Sequence, residues 1–208
     1  MSAHNPNARL EMFSDGVFAI AITILILDMK VPPLDTIHSI HDVWHALANL
    51  WPSFFALCLS FIIIFISWVG HHNIFLMLDK TSPQFQFANG FFLFTIIFIP
   101  FAAAFMAEYM NTTYAQPAIV FYCLAVTFHN LGWNVLHFTI IKPVPLLKAS
   151  ISLDRAKKYQ RGAFMGLCIN MAVIIMAWWI PYIAIVLNFL IWIYWLILSV
   201  SVKHESEV

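Results

Sequence analysis

The chain has 208 residues, of which 62% are hydrophobic and 10% charged. Soluble proteins average roughly 45–50% and about 25%, so a water-soluble domain is excluded: a chain of this length has too little interior to hide that much apolar side chain. Ten acidic and ten basic residues cancel, which removes any global charge that would recruit nucleic acid or steer a charged substrate.

A hydrocarbon core about 30 Å thick takes about 20 apolar helical residues. Such stretches follow one another at residues 10–31, 48–70, 88–108, 118–141, 162–179 and 182–202. They are continuously apolar rather than alternating with period two, so the expected fold is an all-α integral membrane protein of six transmembrane helices, a single domain over 1–208, and not a barrel. Cys58, Cys123 and Cys168 fall singly inside apolar stretches without CxxC or CxxH spacing; they read as packing residues rather than a disulfide framework or a zinc site.

The first span is not a cleaved signal: Asp15 precedes its apolar run, Asp28, Met29 and Lys30 follow it, and no small-residue cleavage site is present. It is also short. The twelve residues between Asp15 and Asp28 cover about 18 Å at 1.5 Å per residue, too little to face lipid alone. Arg9, Glu11, Ser14 and Asp15 crowd its leading end, and charges at membrane depth normally face protein or a water-filled path. The span is therefore expected inside a bundle, with Gly16, Ala19, Ala21 and Thr23 permitting close helix approach.

Ile20, Thr23, Ile24 and Leu27 stand at i, i+3, i+4 and i+7 and share one helical face. At a symmetry axis this face would make stacked aliphatic rings with one ring of hydroxyl oxygens, and hydrophobic constrictions of that kind gate by dewetting. The same spacing also suits ordinary helix packing.

In the loop that follows, His38, His41 and His45 fall at i, i+3 and i+7 with Asp42 beside them. The alternatives are an interfacial amphipathic turn and a site for a transition metal or for pH sensing. In the fourth span Asn130, Asn134 and His137 occupy one face, with His129 beside it; they are expected to hydrogen-bond to neighbouring helices. The loop before the fifth span carries Arg155-Ala156-Lys157-Lys158, suited to anionic inner-leaflet headgroups.

Orientation follows from basic residues near the span ends. With Arg9 cytoplasmic, Lys80, Lys142, Lys148, Arg155, Lys157, Lys158, Arg161 and Lys203 fall on the same side, nine of the ten basic residues. Trp178, Trp179 and Tyr182 then belt the outer interface. Both termini are expected in the cytoplasm and the protein in the cell (plasma or inner) membrane, surrounded by lipids.

The string Arg9-x-x-x-Phe13-Ser14-Asp15, continuing Gly-Val-Phe-Ala-Ile-Ala-Ile-Thr-Ile-Leu-Ile-Leu-Asp28, resembles the lysosomal and bacterial potassium channel family, the transmembrane protein 175 family, in its single-repeat prokaryotic branch. Trp68-x-x-His71-His72, Asn89-x-x-Phe92-Leu93 and Phe98-x-Pro100-Phe101 match its pattern too. The resemblance is strong over the first half; the second half agrees in helix number and topology. It implies a homotetramer whose first helix lines the pore and which has no looped carbonyl filter. The chain indeed contains no TVGYG-like segment. Carried over by position, the constriction falls on Ile20, with further layers at Ile24 and Leu27, and the potassium-preferring threonine falls on Thr23. Arg9, Phe13, Ser14, Asp15, Trp68 and His71 carry over as scaffold, with Trp68 and His71 plausible donors to Asp15. A cation-attracting ring of Asp15 at the cytoplasmic mouth is the other reading of that residue.

The expected function is a potassium-selective cation channel that conducts passively through a hydrophobic constriction, with monovalent cations as permeants and no cofactor. The alternative is a secondary transporter using Asp15 and the polar residues of the fourth span as a coupling site. Transporters of that kind show internal repeats and broken helices, whereas Phe-Ser-Asp occurs once and Pro100 is the only clear mid-helix break. An enzyme is not expected: HExxH, GxSxG and other nucleophile-and-base pairings are absent from the sequence.

Overall fold

A computed structural model describes residues 7–27, 29–141 and 146–201. Asp28, Lys142 and Lys203, used above for span limits and orientation, lie outside the described residues. The described residues form seven α-helices, in order α1 (Ala8–Leu27), α2 (Ile40–Asn49), α3 (Trp51–Met77), α4 (Pro83–Tyr109), α5 (Ala115–Ile141), α6 (Leu153–Trp179) and α7 (Pro181–Ser201), with a short 3₁₀ turn at Leu34–Thr36. All except α2 are long and apolar enough to cross a membrane, which gives the six expected spans.

The helices outrun the apolar stretches because their caps lie in polar sequence. Ser82 accepts from the Phe85 amide ahead of α4, and Ser152 from the Arg155 amide ahead of α6. The basic run 155–158 consequently sits on the first turns of α6 and not in a loop. Pro100 does not break α4, which is continuous from 83 to 109; the proline is buried among neighbouring helices, which sustain the chain past the missing amide. Of the cysteines only Cys123 is buried; Cys58 and Cys168 face outward, and all three are free.

Hydrogen bonds between loops define two ends. At the basic end, Asp79 N donates to Leu146 O (2.8 Å) and Lys148 N to Met77 O (3.0 Å), tying the α3–α4 and α5–α6 connections together. At the aromatic end, Tyr182 Oη donates to Met110 O (2.9 Å), and Gln116 Nε2 donates to Trp178 O. Lys30, following α1, pairs there with Glu108 at the end of α4 (3.1 Å).

The core lies chiefly on α3, α4 and α5, with buried residues from α1, α6 and α7 closing it. Its centre holds His129, completely buried, with its ring nitrogens on Ser67 Oγ (2.7 Å, α3) and Thr95 Oγ1 (3.0 Å, α4). Gly132 allows this approach: a Cβ there would stand 2.9 Å from Thr95 Oγ1 and 3.3 Å from the Phe92 Cα. Asn134 donates to Ala163 O on α6 (3.0 Å), while His137 stacks between Trp133 and Tyr159. The polar face of the fourth span thus joins helices, as its composition suggests.

Candidate functional site

Among the described residues helix α1 packs mainly on α3 and α4, at the edge of the subunit, so the expectation that it lies inside a bundle is not met within one chain. Ser14, Phe18, Ala21 and Leu25 form its buried stripe. The opposite stripe, Phe13, Gly16, Ile20, Thr23, Ile24 and Leu27, is exposed along the whole helix, with Ile20 at 60% and Leu27 at 77%. Of the small residues expected at helix contacts only Ala21 is buried; Gly16, Ala19 and Thr23 face away from the subunit.

Twenty residues at 1.5 Å each make α1 about 30 Å long, one hydrocarbon thickness. On its exposed stripe, Thr23 has the only hydroxyl. Its hydrogen is already donated to Ile20 O (2.9 Å), so what the side chain can still offer outward is oxygen lone pairs, acceptors suited to a cation or water.

The leading end of α1 is fastened by side chains. Ser14 Oγ donates to Leu10 O (2.9 Å) and accepts from Asn89 Nδ2 (3.0 Å). Asn89 Oδ1 in turn lies 2.7 Å from His71 Nε2; a carboxamide oxygen can only accept, so Nε2 carries the proton. The His71 ring is buried against Phe18, Phe75 and Phe92. Asp15 Oδ1 accepts from Trp68 Nε1 (2.9 Å), and Glu11 meets His72 Nδ1 (3.0 Å). Of the two donors expected for Asp15, Trp68 serves and His71 does not, because the Asn89 oxygen claims it. Arg9 and Phe13 are exposed on the opposite side of α1, and Arg9 has no partner among the described residues.

No hydrogen bond among the described residues joins Asp15 to the Asn and His residues of α5. His41 and His45 stack at 6.5 Å on α2 while His38 precedes it, and among the described residues no three His, Cys, Asp or Glu side chains are grouped to hold a metal. Asp42 instead takes part in the cap of α2, whose N-cap is Ser39: the Ser39 hydroxyl accepts from the Asp42 amide, and His38 N donates back to the Asp42 carboxylate. The bond from His38 N, then that with Ser39, holds the Asp42 carboxyl below the ordinary range.

Sequence reasoning picked Asn89 as part of a pattern and missed its role as the hinge-pin between Ser14 and His71. The partners lie 75 and 18 positions away, and nothing in local periodicity relates them.

Residues 9–100 match the family model described as endosomal/lysosomal potassium channel TMEM175. A potassium channel of Streptomyces collinus is 39% identical over 137 residues, 63% of this chain and 65% of that protein; the match spans slightly under two thirds of this relative's length. A potassium channel of a Chryseobacterium species is 30% identical over 190 residues, covering 91% of this chain and 92% of the relative. Among solved structures, the lysosomal potassium-selective channel TMEM175 homolog from Chamaesiphon minutus superposes with a TM-score of 0.82 at 29% identity, over 93% of this chain and 97% of that one.

Proposed function

The chain belongs to the TMEM175 potassium channel family, and from that premise we propose that it is a passive, potassium-selective channel. Four copies surround a pore lined by Ile20, Thr23, Ile24 and Leu27 on the exposed stripe of α1. The observation that carries this reading is the stripe itself. A helix that buries Ser14, Phe18, Ala21 and Leu25 against its own subunit leaves Ile20, Thr23, Ile24 and Leu27 uncovered along one face, over about 10 Å of its length. Placed at a symmetry axis, these give an aliphatic constriction at Ile20, further layers at Ile24 and Leu27, and a ring of Thr23 oxygens. Ions pass partly dehydrated, the oxygens replacing some hydration, and conduction changes with the width of the isoleucine layer.

Ser14, Asp15, Trp68 and His71 act as scaffold, fixing the tilt of α1 against α3 and α4; Arg9 and Phe13, on the outward side, brace it against a neighbouring subunit. The Trp68 bond to Asp15 favours this role over a cation-attracting ring. A channel of this family involves no catalytic step and needs no cofactor, and it works as a multi-pass protein of the cell membrane with both termini in the cytoplasm. Among the described residues, Arg9, Lys80, Lys148 and the basic residues 155–161 at one end of the bundle support that orientation.

The test is cation flux through purified protein in liposomes under potassium, caesium and sodium gradients. Passive flux preferring potassium supports the channel. Saturating flux that requires a second ion or proton gradient overturns it in favour of a transporter. Asp15→Asn separates the two roles of that residue: loss of the tetramer supports scaffold, whereas loss of current with the tetramer intact supports the mouth ring.

A further inference from the structure

Among the described residues helix α2 has no buried residue and packs mainly on the start of α3. Around its axis Ile40, Val43, Trp44 and Leu47 stand at i, i+3, i+4 and i+7 and form one apolar arc, whereas His41, His45, Asn49 and Asp42 form the arc opposite. All four apolar side chains are exposed, Ile40 at 80% and Trp44 at 68%. An apolar stripe left bare in water would be costly, so something covers it.

The fold says at what level that cover lies. Alternating spans bring the C-terminal ends of α1, α4 and α6 and the N-terminal ends of α3, α5 and α7 to the aromatic end, and α2 lies between α1 and α3. Exposed aromatic side chains ring this end: Trp51 and Phe54 on α3, Tyr109 and Tyr114 at the α4–α5 turn, Trp178, Trp179 and Tyr182 at the α6–α7 junction. Such belts mark the boundary between headgroups and acyl chains. Only Leu50 separates α2 from α3, so α2 is held at the depth of Trp51, and Trp44 continues the belt. Lys and Arg are absent from α2, so its attachment is by apolar burial rather than by attraction to anionic lipid.

We propose that α2 is a membrane-interface helix, lying along the bilayer surface with Ile40, Val43, Trp44 and Leu47 set into the headgroup–acyl boundary and its histidine face turned to water. This rests on the membrane-spanning fold and not on what the pore conducts. The helix would fix the connection between pore helix and α3 at a set depth, so that α1 is fastened to its own subunit at the leading end and to the bilayer surface at the other.

The test uses the full chain in lipid bilayers, with the exposed cysteines removed by Cys58→Ala and Cys168→Ala and nitroxide labels placed singly at Trp44→Cys, Leu47→Cys, His41→Cys and His45→Cys. Collision with oxygen, which concentrates among acyl chains, is compared with collision with a nickel chelate, which stays in water. The expected result is an oxygen-to-nickel ratio several-fold higher at 44 and 47 than at 41 and 45. Equal, water-like ratios at all four positions overturn the proposal. Labels at 44 and 47 shielded from both reagents also overturn it, because a second copy of the chain then covers the stripe. If Trp44→Cys fails to fold, Val43→Cys reads the same stripe and the same outcomes apply.

Discussion

A Cβ on Gly132 would stand 2.9 Å from the Thr95 hydroxyl, whereas a Cβ on Gly16 would meet nothing within 4 Å. Both glycines lie on membrane-spanning helices, yet one is where two helices touch and the other is where a helix meets no other part of its subunit. The α4–α5 pair keeps its polar side chains Thr95, His129 and Asn134 inside, with Ser67 of α3 as a partner of His129, and these fix which helices meet and at what register. Helix α1 spends Ser14 and Asp15 on attachment at one end and then presents aliphatic surface to whatever lies outside. Polar groups within the subunit hold the fold; the face that the subunit leaves uncovered is where conduction is expected.

That contrast is broken most directly at Gly132. Gly132→Ala forces Thr95 to rotate away from His129 or the helices to part, at an expected cost of about 1–3 kcal/mol; Gly16→Ala in the same position on the exposed stripe should change stability by no more than about 0.5 kcal/mol. Thermal unfolding in detergent measures both, and equal midpoints would show that the close α4–α5 approach is wrong. Next in size is Asn89→Leu, which strips His71 Nε2 of its acceptor and Ser14 of its donor. The orphaned imidazole should cost about 1–3 kcal/mol, read by the same unfolding curve, and an unshifted midpoint would remove the Ser14–Asn89–His71 link from the account.

A smaller effect, about 1 kcal/mol, is expected for Trp68→Phe, which keeps the ring but loses the bond to Asp15. Proteolysis at the leading end of α1 should quicken in this variant; unchanged cleavage would argue that Asp15 does not hold the helix. The smallest concerns pH. The Asp42 carboxyl is held below its ordinary 3.8 by His38 N and Ser39, so its contribution to α2 is complete above about pH 5 and is lost as pH falls through the lowered value. The protection of α2 amides, taken relative to intrinsic exchange at each pH, should therefore stay level from neutrality down to that point and fall only in stronger acid; a loss of protection already near pH 6 would contradict the cap.

The spans were legible because apolar runs of membrane length admit no other reading. Their ends were not, since Ser82 and Ser152 cap α4 and α6 in polar sequence that composition assigns to loops. The outward face of α1 was legible through the spacing of Ile20, Thr23, Ile24 and Leu27, and the resemblance falls on the same residues. What spacing could not supply was that this face is uncovered within the subunit, which depends on where α3 and α4 dock. The sequence likewise offered His71 to Asp15 as readily as Trp68; only the position of Asn89, on a different helix, decides between them.

The central claim is that ions pass along the exposed stripe of α1 with Ile20 as its constriction. Cation flux through the purified protein in liposomes, comparing the parent chain with Ile20→Asn under potassium, caesium and sodium gradients, tests it most directly. Passive, potassium-preferring flux is predicted in the parent and altered leak or selectivity in the variant, with the thermal midpoint little moved because the Ile20 side chain is largely exposed in its own subunit, at 60%. Flux and selectivity identical in the two proteins would contradict it and remove Ile20 from the pore.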